Sequence, residues 1–243
     1  MTPSTMARGV LEVIALHDRD AERAEEGGAD RIELVGTMTD SGLSPEPTLV
    51  RQVRRATSIQ VRVMVRLRAG FGTDGGEVTR LKGLAAAYRQ AGADGLVLGF
   101  LNGHTQIDEA VVHAVTEDVG LPWTFHRAVD SCIEPDRAWR VLTRLGCDQV
   151  LTAGSVRDVE HGLDDLVQRA QLDPVVAALI VAGGGLHPEH VPWLADAGVR
   201  AFHVGKAVRP TGSYRAYVDA DLVRTWRNLI DTSVRRAAGH AHS

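Results

Sequence analysis

The segment TFHRAVD, residues 124–130, brings His126, Arg127 and Asp130 together just after an apolar run, LPWTF, that could enter a core. Such groups are expensive to bury alone, so they either pair with one another or meet something else. Glu12 and Glu33 also sit within apolar runs, and with His126 they could supply the acid and base of a proton transfer. Arg66, Arg68 and Lys206 could hold an anion, Arg66 through the planar donor set that matches a carboxylate or phosphate, with Arg68 expected on the same strand face two residues later. Arg127, Asp130, Thr152 and His203 would add hydrogen bonds to the same ligand. The glycines of VAGGG, residues 181–185, have two readings. Gly183 and Gly184 either expose backbone N–H groups to an anion or belong to a tight turn that needs positive φ. The charged groups also have a second reading, because salt bridges among them would satisfy them without any ligand.

These residues can act together only if the chain brings them to one place. Short β-branched or apolar runs recur at 11–15, 31–35, 60–65, 95–99, 122–126, 149–151, 178–181 and 201–204, with stretches of helical spacing between them. In DRAWRVLTRL, Trp139, Leu142 and Leu145 recur at three-residue steps, as one buried helix face requires. Strands alternating with helices indicate parallel βαβ units. Gly28-Ala29-Asp30, Gly92-Ala93-Asp94, Gly146-Cys147-Asp148 and Gly198-Val199-Arg200 each stand between a helix and the next strand, 64, 54 and 52 residues apart. Each interval holds two βα units. Eight units in 243 residues predict a single-domain (β/α)8 TIM-type barrel, with a doubly wound open sheet as the alternative. The barrel is expected over residues 10–236, between a flexible start, 1–9, and a flexible tail, 237–243. In a barrel the carboxyl ends of all strands share one face, and the polar candidates are read as gathering there. By alternation His126 and Arg127 cannot both face the interior; His126 is expected inward and Arg127 at the rim.

A formal charge of −4 argues against a nucleic-acid-binding face. No apolar run reaches the roughly 18 residues of a membrane span, and the opening MTPSTMARG lacks the apolar segment of a signal peptide. The two cysteines, Cys132 and Cys147, form no CxxC pair, which fits a reducing cytoplasm and leaves little for a thiolate metal site. His187 and His190 are expected to be solvated in a helix's first turn, His240 and His242 fall in the tail, and His17 follows the first strand in a loop. No metal ligands are assigned. Neither a Walker loop, a dinucleotide fingerprint nor a G-x-S-x-G elbow occurs.

With these residues assembled, the sequence resembles the CutC family, proteins named for copper homeostasis, from about Leu11 to about Val208. The likeness is carried by Leu11-Glu12, GADRIEL (28–34), SGLSP (41–45), VRVMVRLRAG (61–70) with Asp74 and Glu77, TFHRAVD, QVLTAG (149–154) and VAGGG. The resemblance implies a TIM-type barrel, a cytoplasmic location, a homo-oligomer and copper as a possible cofactor. Family members with thiol ligands carry cysteines just after Leu-Glu and after the Ile-Glu-Leu of the second strand. Here those places hold Val13, Ile14, Ala15 and Val35. Copper(I) prefers soft sulfur, and only Cys132 is expected near the rim. Three functions compete: copper handling of the family's kind, acid–base catalysis on a small anion, phosphorylated or not, and a binding barrel without turnover. The partner is accordingly a copper ion or a small anion, with no role for nucleic acid or membrane.

Overall fold

The repeated glycine turns have the conformation that ends a helix. Gly28, Gly92, Gly146 and Gly198 lie at φ of 90°, 95°, 88° and 108°, values that glycine adopts without a Cβ penalty. The computed structural model describes residues 8–240, the side chain of His240 excepted. Its strands are β1 (Val10–Ala15), β2 (Arg31–Leu34), β3 (Gln60–Met64), β4 (Gly95–Leu98), β5 (Trp123–Phe125), β6 (Gln149–Thr152), β7 (Ile180–Ala182) and β8 (Ala201–Val204). They pair in parallel, in chain order, and β8 closes on β1. The open sheet is thereby excluded.

The α-helices are α1 (Asp18–Glu26), α2 (Pro47–Ala56), α3 (Gly75–Ala91), α4 (Glu109–Thr116), α5 (Pro135–Leu145), α6 (Val159–Leu172), α7 (Pro174–Leu179), α8 (His190–Asp196) and α9 (Ala220–His240). Most strand limits fall within one residue of the sequence reading, and two boundaries differ by more. Ala178 and Leu179 close α7, a helix opened by Pro174 and capped by Asp173, so β7 starts two residues later than the run at 178–181. Residues 237–240, read as tail, continue α9, and Ala237 is buried against the barrel. Residues 1–7 and 241–243, including His242, lie outside the described residues.

Two cores follow from strand alternation. Leu11, Val13, Ile32, Leu34, Val61, Val63, Leu96, Leu98, Phe125, Val150, Ile180 and Phe202 face outward and are buried with the helices. The opposite parity faces the barrel axis. There Val10, Leu151, Val181 and Ala201 form an apolar wall along the adjacent strands β6, β7, β8 and β1, while Ile14, Val35, Met64 and Val97 form an apolar collar on β1 to β4. Beside them the register aligns Glu12 with Arg31 and with His203. A layer of charge therefore lies where such barrels ordinarily stack branched aliphatic side chains.

Candidate active site

Glu12 belongs to that charged layer and not to the site. Its carboxylate is 1% exposed, takes Arg31 Nε at 2.5 Å and meets His203 Nδ1 at 2.7 Å. Burial alone would raise its pKa, but the charge of Arg31 and the His203 hydrogen bond outweigh burial and hold the carboxyl well below the usual range. Arg62 completes the layer, donating to Thr124 Oγ1 at 2.6 Å and pairing with Asp148 in the turn before β6. The sequence reading placed Glu12 in a shared mouth; instead it lies beneath, matched on both sides. The reading also missed Arg31 and Arg62, although alternation from Glu33 and Met64 points both toward the axis.

Above this layer a cavity of about 440 Å³ opens at the carboxyl-end face. Glu33, Arg66, His126, His203, Lys206 and Tyr214 line it, together with Met38, Met64 and Phe71. Glu33 is 3% exposed. Its Oε2 is 3.6 Å from His203 Nε2, and its Oε1 is buried without a hydrogen-bond partner. Burial, opposed by the charge of His203 and reinforced by that of Glu12, pushes its pKa up to about 7. His203 is drawn down by burial but raised overall, because Glu12 bonds it and both carboxylates favour its cation.

His126 faces the cavity from the end of β5, and Gly99 makes room for it. A Cβ on Gly99 would lie 2.5 Å from His126 Nδ1. Nδ1 accepts the Ala128 N–H at 3.2 Å, so in the neutral ring the proton sits on Nε2. Burial and the nearby Arg66 push this imidazole's pKa down to about 3, so the neutral ring prevails. Nε2 is buried and has no partner. Arg127 leaves the axis for the rim, as alternation requires.

Arg66 is held by main chain, donating from Nη1 to the Asp40 and Gly42 carbonyls and from Nε to Gly70, with its guanidinium 5.0 Å from the Phe71 ring centroid. Tyr214 reaches the cavity from beyond β8, where a Cβ on Gly205 would collide with its hydroxyl. Burial, with Glu33 adding to it, pushes that phenol up to about 12. No sequence signal marked Tyr214; it lies ten residues past the last strand, and only the return of that loop over the mouth brings it in.

Other candidates are engaged elsewhere. Arg127 Nε pairs with Asp130 at 2.8 Å and its Nη2 donates to the Ser155 carbonyl at 2.9 Å. Asp130 also accepts Thr152 Oγ1 at 2.6 Å and the Ala153 N–H at 3.0 Å. These three predicted binding residues form a clamp between β5 and β6. Arg127 and Asp130 border the cavity, whereas Thr152 does not. Arg68 is half-exposed and pairs with Glu77 at 2.8 Å, outside the mouth. Strand β3 ends at Met64, so the expectation that Arg68 shares Arg66's face fails with the alternation. Gly183 donates its N–H to the Thr152 carbonyl at 3.0 Å and packs on His203, so it offers nothing to an anion. Gly184, at φ 94°, does border the cavity. His190, expected in solvent, is buried with Nε2 2.7 Å from Glu160. His17 is exposed and stacks edge-on against Tyr217.

The donor set does not fit copper(I). Both cysteines are buried away from the cavity, with thiols raised to about 11 for Cys132 and about 12 for Cys147, by burial first and then by neighbouring aspartates. The sulfurs in the cavity are the thioethers of Met38 and Met64. No imidazole lone pair accompanies them, since His126 Nδ1 is occupied and both nitrogens of His203 face carboxylates. Among the described residues no group of three or more His, Cys, Asp or Glu side chains could hold a metal ion.

The fold and its mouth define a (β/α)8 barrel with a candidate small-molecule site at the carboxyl ends of its strands. The chain belongs to the CutC family, whose model matches residues 10–208. It is 34% identical over 200 residues to a CutC family protein of Klebsiella pneumoniae, covering 80% of this chain and 78% of that one. A CutC family protein of Citrobacter koseri is 36% identical over 197 residues, with the same coverage of 80% and 78%. In three dimensions the chain is similar to a Streptococcus agalactiae protein proposed to be the copper homeostasis protein CutC. The TM-score is 0.72 at 23% identity, over 81% of this chain and 98% of that one. Among the described residues no helix is long and apolar enough to cross a membrane.

Proposed function

We propose that this protein is a barrel enzyme that moves a proton on a small organic anion, with Glu33 as the acid–base group. One observation supports this reading most: Glu33 Oε1 and His126 Nε2 are both buried, both unpartnered, and both at one cavity. A carboxyl whose pKa lies near neutrality can accept and return a proton at working pH. A neutral imidazole donates a hydrogen bond to an oxygen on which charge develops, without giving its proton away. Together they suit proton abstraction next to a carbonyl: Glu33 takes the C–H proton, His126 Nε2–H steadies the oxygen, and Glu33 returns the proton to the neighbouring carbon or oxygen. His203, shared between Glu12 and Glu33, positions the base. Arg66 and Lys206 supply positive charge for the anion.

The test is deuterium uptake. In heavy water, with a panel of hydroxy-carbonyl phosphates and hydroxy acids, the wild type is expected to wash out one substrate C–H signal by NMR, and Glu33→Gln to abolish the exchange. A substrate that binds with no exchange and no turnover would leave a binding barrel. The copper role suggested by the name of the streptococcal protein predicts the opposite chemistry. We expect no stoichiometric copper(I) binding against a competing chelator; tight one-to-one binding that survives loss of Cys132 would reverse that. Two buried, free thiols accord with a cytoplasmic setting.

A further inference from the structure

The cations around the mouth are not all alike. Arg127 is cancelled by Asp130, and His203 lies between two carboxylates. Among the described residues Arg66 and Lys206 have no ion-pair partner: Arg66 rests on carbonyls and Phe71, and Lys206 lies 5.8 Å from the Tyr214 ring centroid. Both line the same cavity. Arg66 follows β3 and Lys206 follows β8, three places apart in a ring of eight strands, so they stand on nearly opposite walls. Glu33 on β2 and His126 after β5 are also three places apart, on an axis that crosses the first. The two unpartnered buried atoms, Glu33 Oε1 and His126 Nε2, thus lie between two unpaired cations. Gly184, whose missing Cβ leaves space against Arg127, borders the Lys206 side. The exposed carboxylate of Asp40 opposes an anion at Arg66 from the rim.

We propose that the mouth binds a small organic molecule with an anionic group at each end, lengthwise, one group on Arg66 and the other on Lys206 beside Gly184, with a hydroxyl or carbonyl between them on Glu33 and His126. A cavity of about 440 Å³ restricts the ligand to a short chain. The inference rests on the acid–base reading of the same site and names its substrate class.

A matched set of probes tests it by calorimetry at constant ionic strength: glycerate, glycerol 3-phosphate, 3-phosphoglycerate, which carries both ends, and malate, which replaces the phosphate by a carboxylate. 3-Phosphoglycerate is expected to bind at least about tenfold tighter than either half, because two charge-assisted contacts replace one. Arg66→Ala and Lys206→Ala should each remove about tenfold of that affinity, and each should weaken a different half-ligand, which assigns the ends. Malate binding as tightly as 3-phosphoglycerate assigns carboxylates to both ends; weaker binding assigns phosphate to one. Asp40→Asn should tighten whichever ligand end Arg66 holds. Arg66→Lys, which keeps the charge, guards against misfolding and should retain most of the binding. If 3-phosphoglycerate binds no tighter than its better half, or if either alanine variant binds it unchanged, the two-ended site is wrong. Preference for two-ended ligands without deuterium exchange would keep this inference and remove the catalytic reading. Exchange on a ligand with one anionic group and no two-ended preference would do the reverse.

Discussion

Glu12 and Glu33 lie on adjacent strands, face the same axis and are one inward step apart, since Ile14 aligns with Glu33 where Glu12 aligns with Arg31. Both are buried, yet one is held ionised and the other is pushed toward its neutral form. The difference is in the partners. In the lower layer one carboxylate oxygen of Glu12 meets Arg31 and the other His203, and Arg62 has Thr124 and Asp148. In the mouth, Glu33 shares one histidine and leaves an oxygen unmet. Burial alone does not decide a charge state; the number of counter-charges within hydrogen-bond reach does. The carboxylate of the lower layer is finished by the protein, although Arg31 Nη2 and Arg62 Nε are buried there without a partner, whereas the carboxylate of the mouth awaits something from outside.

The largest effect should come from breaking the finished layer. Glu12→Ala leaves Arg31 and His203 buried without their carboxylate and should cost about 3–5 kcal/mol in urea unfolding at pH 7. A loss below about 1 kcal/mol would erase the distinction between the two regions. A smaller effect of opposite sign is expected at Glu33. Its folded pKa is raised, so from pH about 4.5 to about 7 the native state keeps a proton that the unfolded chain has released. Stability therefore falls with pH across that window and levels above it. Glu33→Gln removes the penalty and should be more stable than wild type at pH 8 by on the order of 1–3 kcal/mol, with no advantage near pH 4.5. Parallel stability curves for the two proteins would contradict this assignment. The smallest effect belongs to Arg68→Ala. Its side chain is 50% exposed and pairs outside the mouth with Glu77, which is 3% exposed, so stability should fall by on the order of 1 kcal/mol and 3-phosphoglycerate affinity should stay constant. A tenfold loss of that affinity would place Arg68 back in the site.

The barrel was legible because its signals are local. Glycine turns recur at the ends of helices, apolar runs recur between them, and each is read without knowing the rest of the chain. Strand parity was legible too, and it put His126 inward and Arg127 at the rim. What escaped depended on distance in sequence. Glu12 and Glu33 look alike in their strings, and only the register with Arg31 and His203 separates them. Asp130 and Thr152 looked like ligand contacts because nothing in the sequence says that they bond each other. Tyr214 was invisible because a loop, with no period to read, carries it back. Arg68 was misplaced for a narrower reason: alternation was extended four residues past Met64, where β3 ends.

The bond between His203 and Glu12 spans 191 residues and joins the last strand to the first. Its consequence concerns assembly. Until β8 docks, a carboxylate in the barrel wall lacks one of its two partners, and the histidine of β8 has no acid to meet. Seven strands therefore make an unfinished electrostatic object as well as an open sheet edge. The seam between β1 and β8 acts as a latch that engages only once β8 is present, and a product that ended before it would betray itself by an unmatched interior charge rather than pass as a slightly smaller barrel.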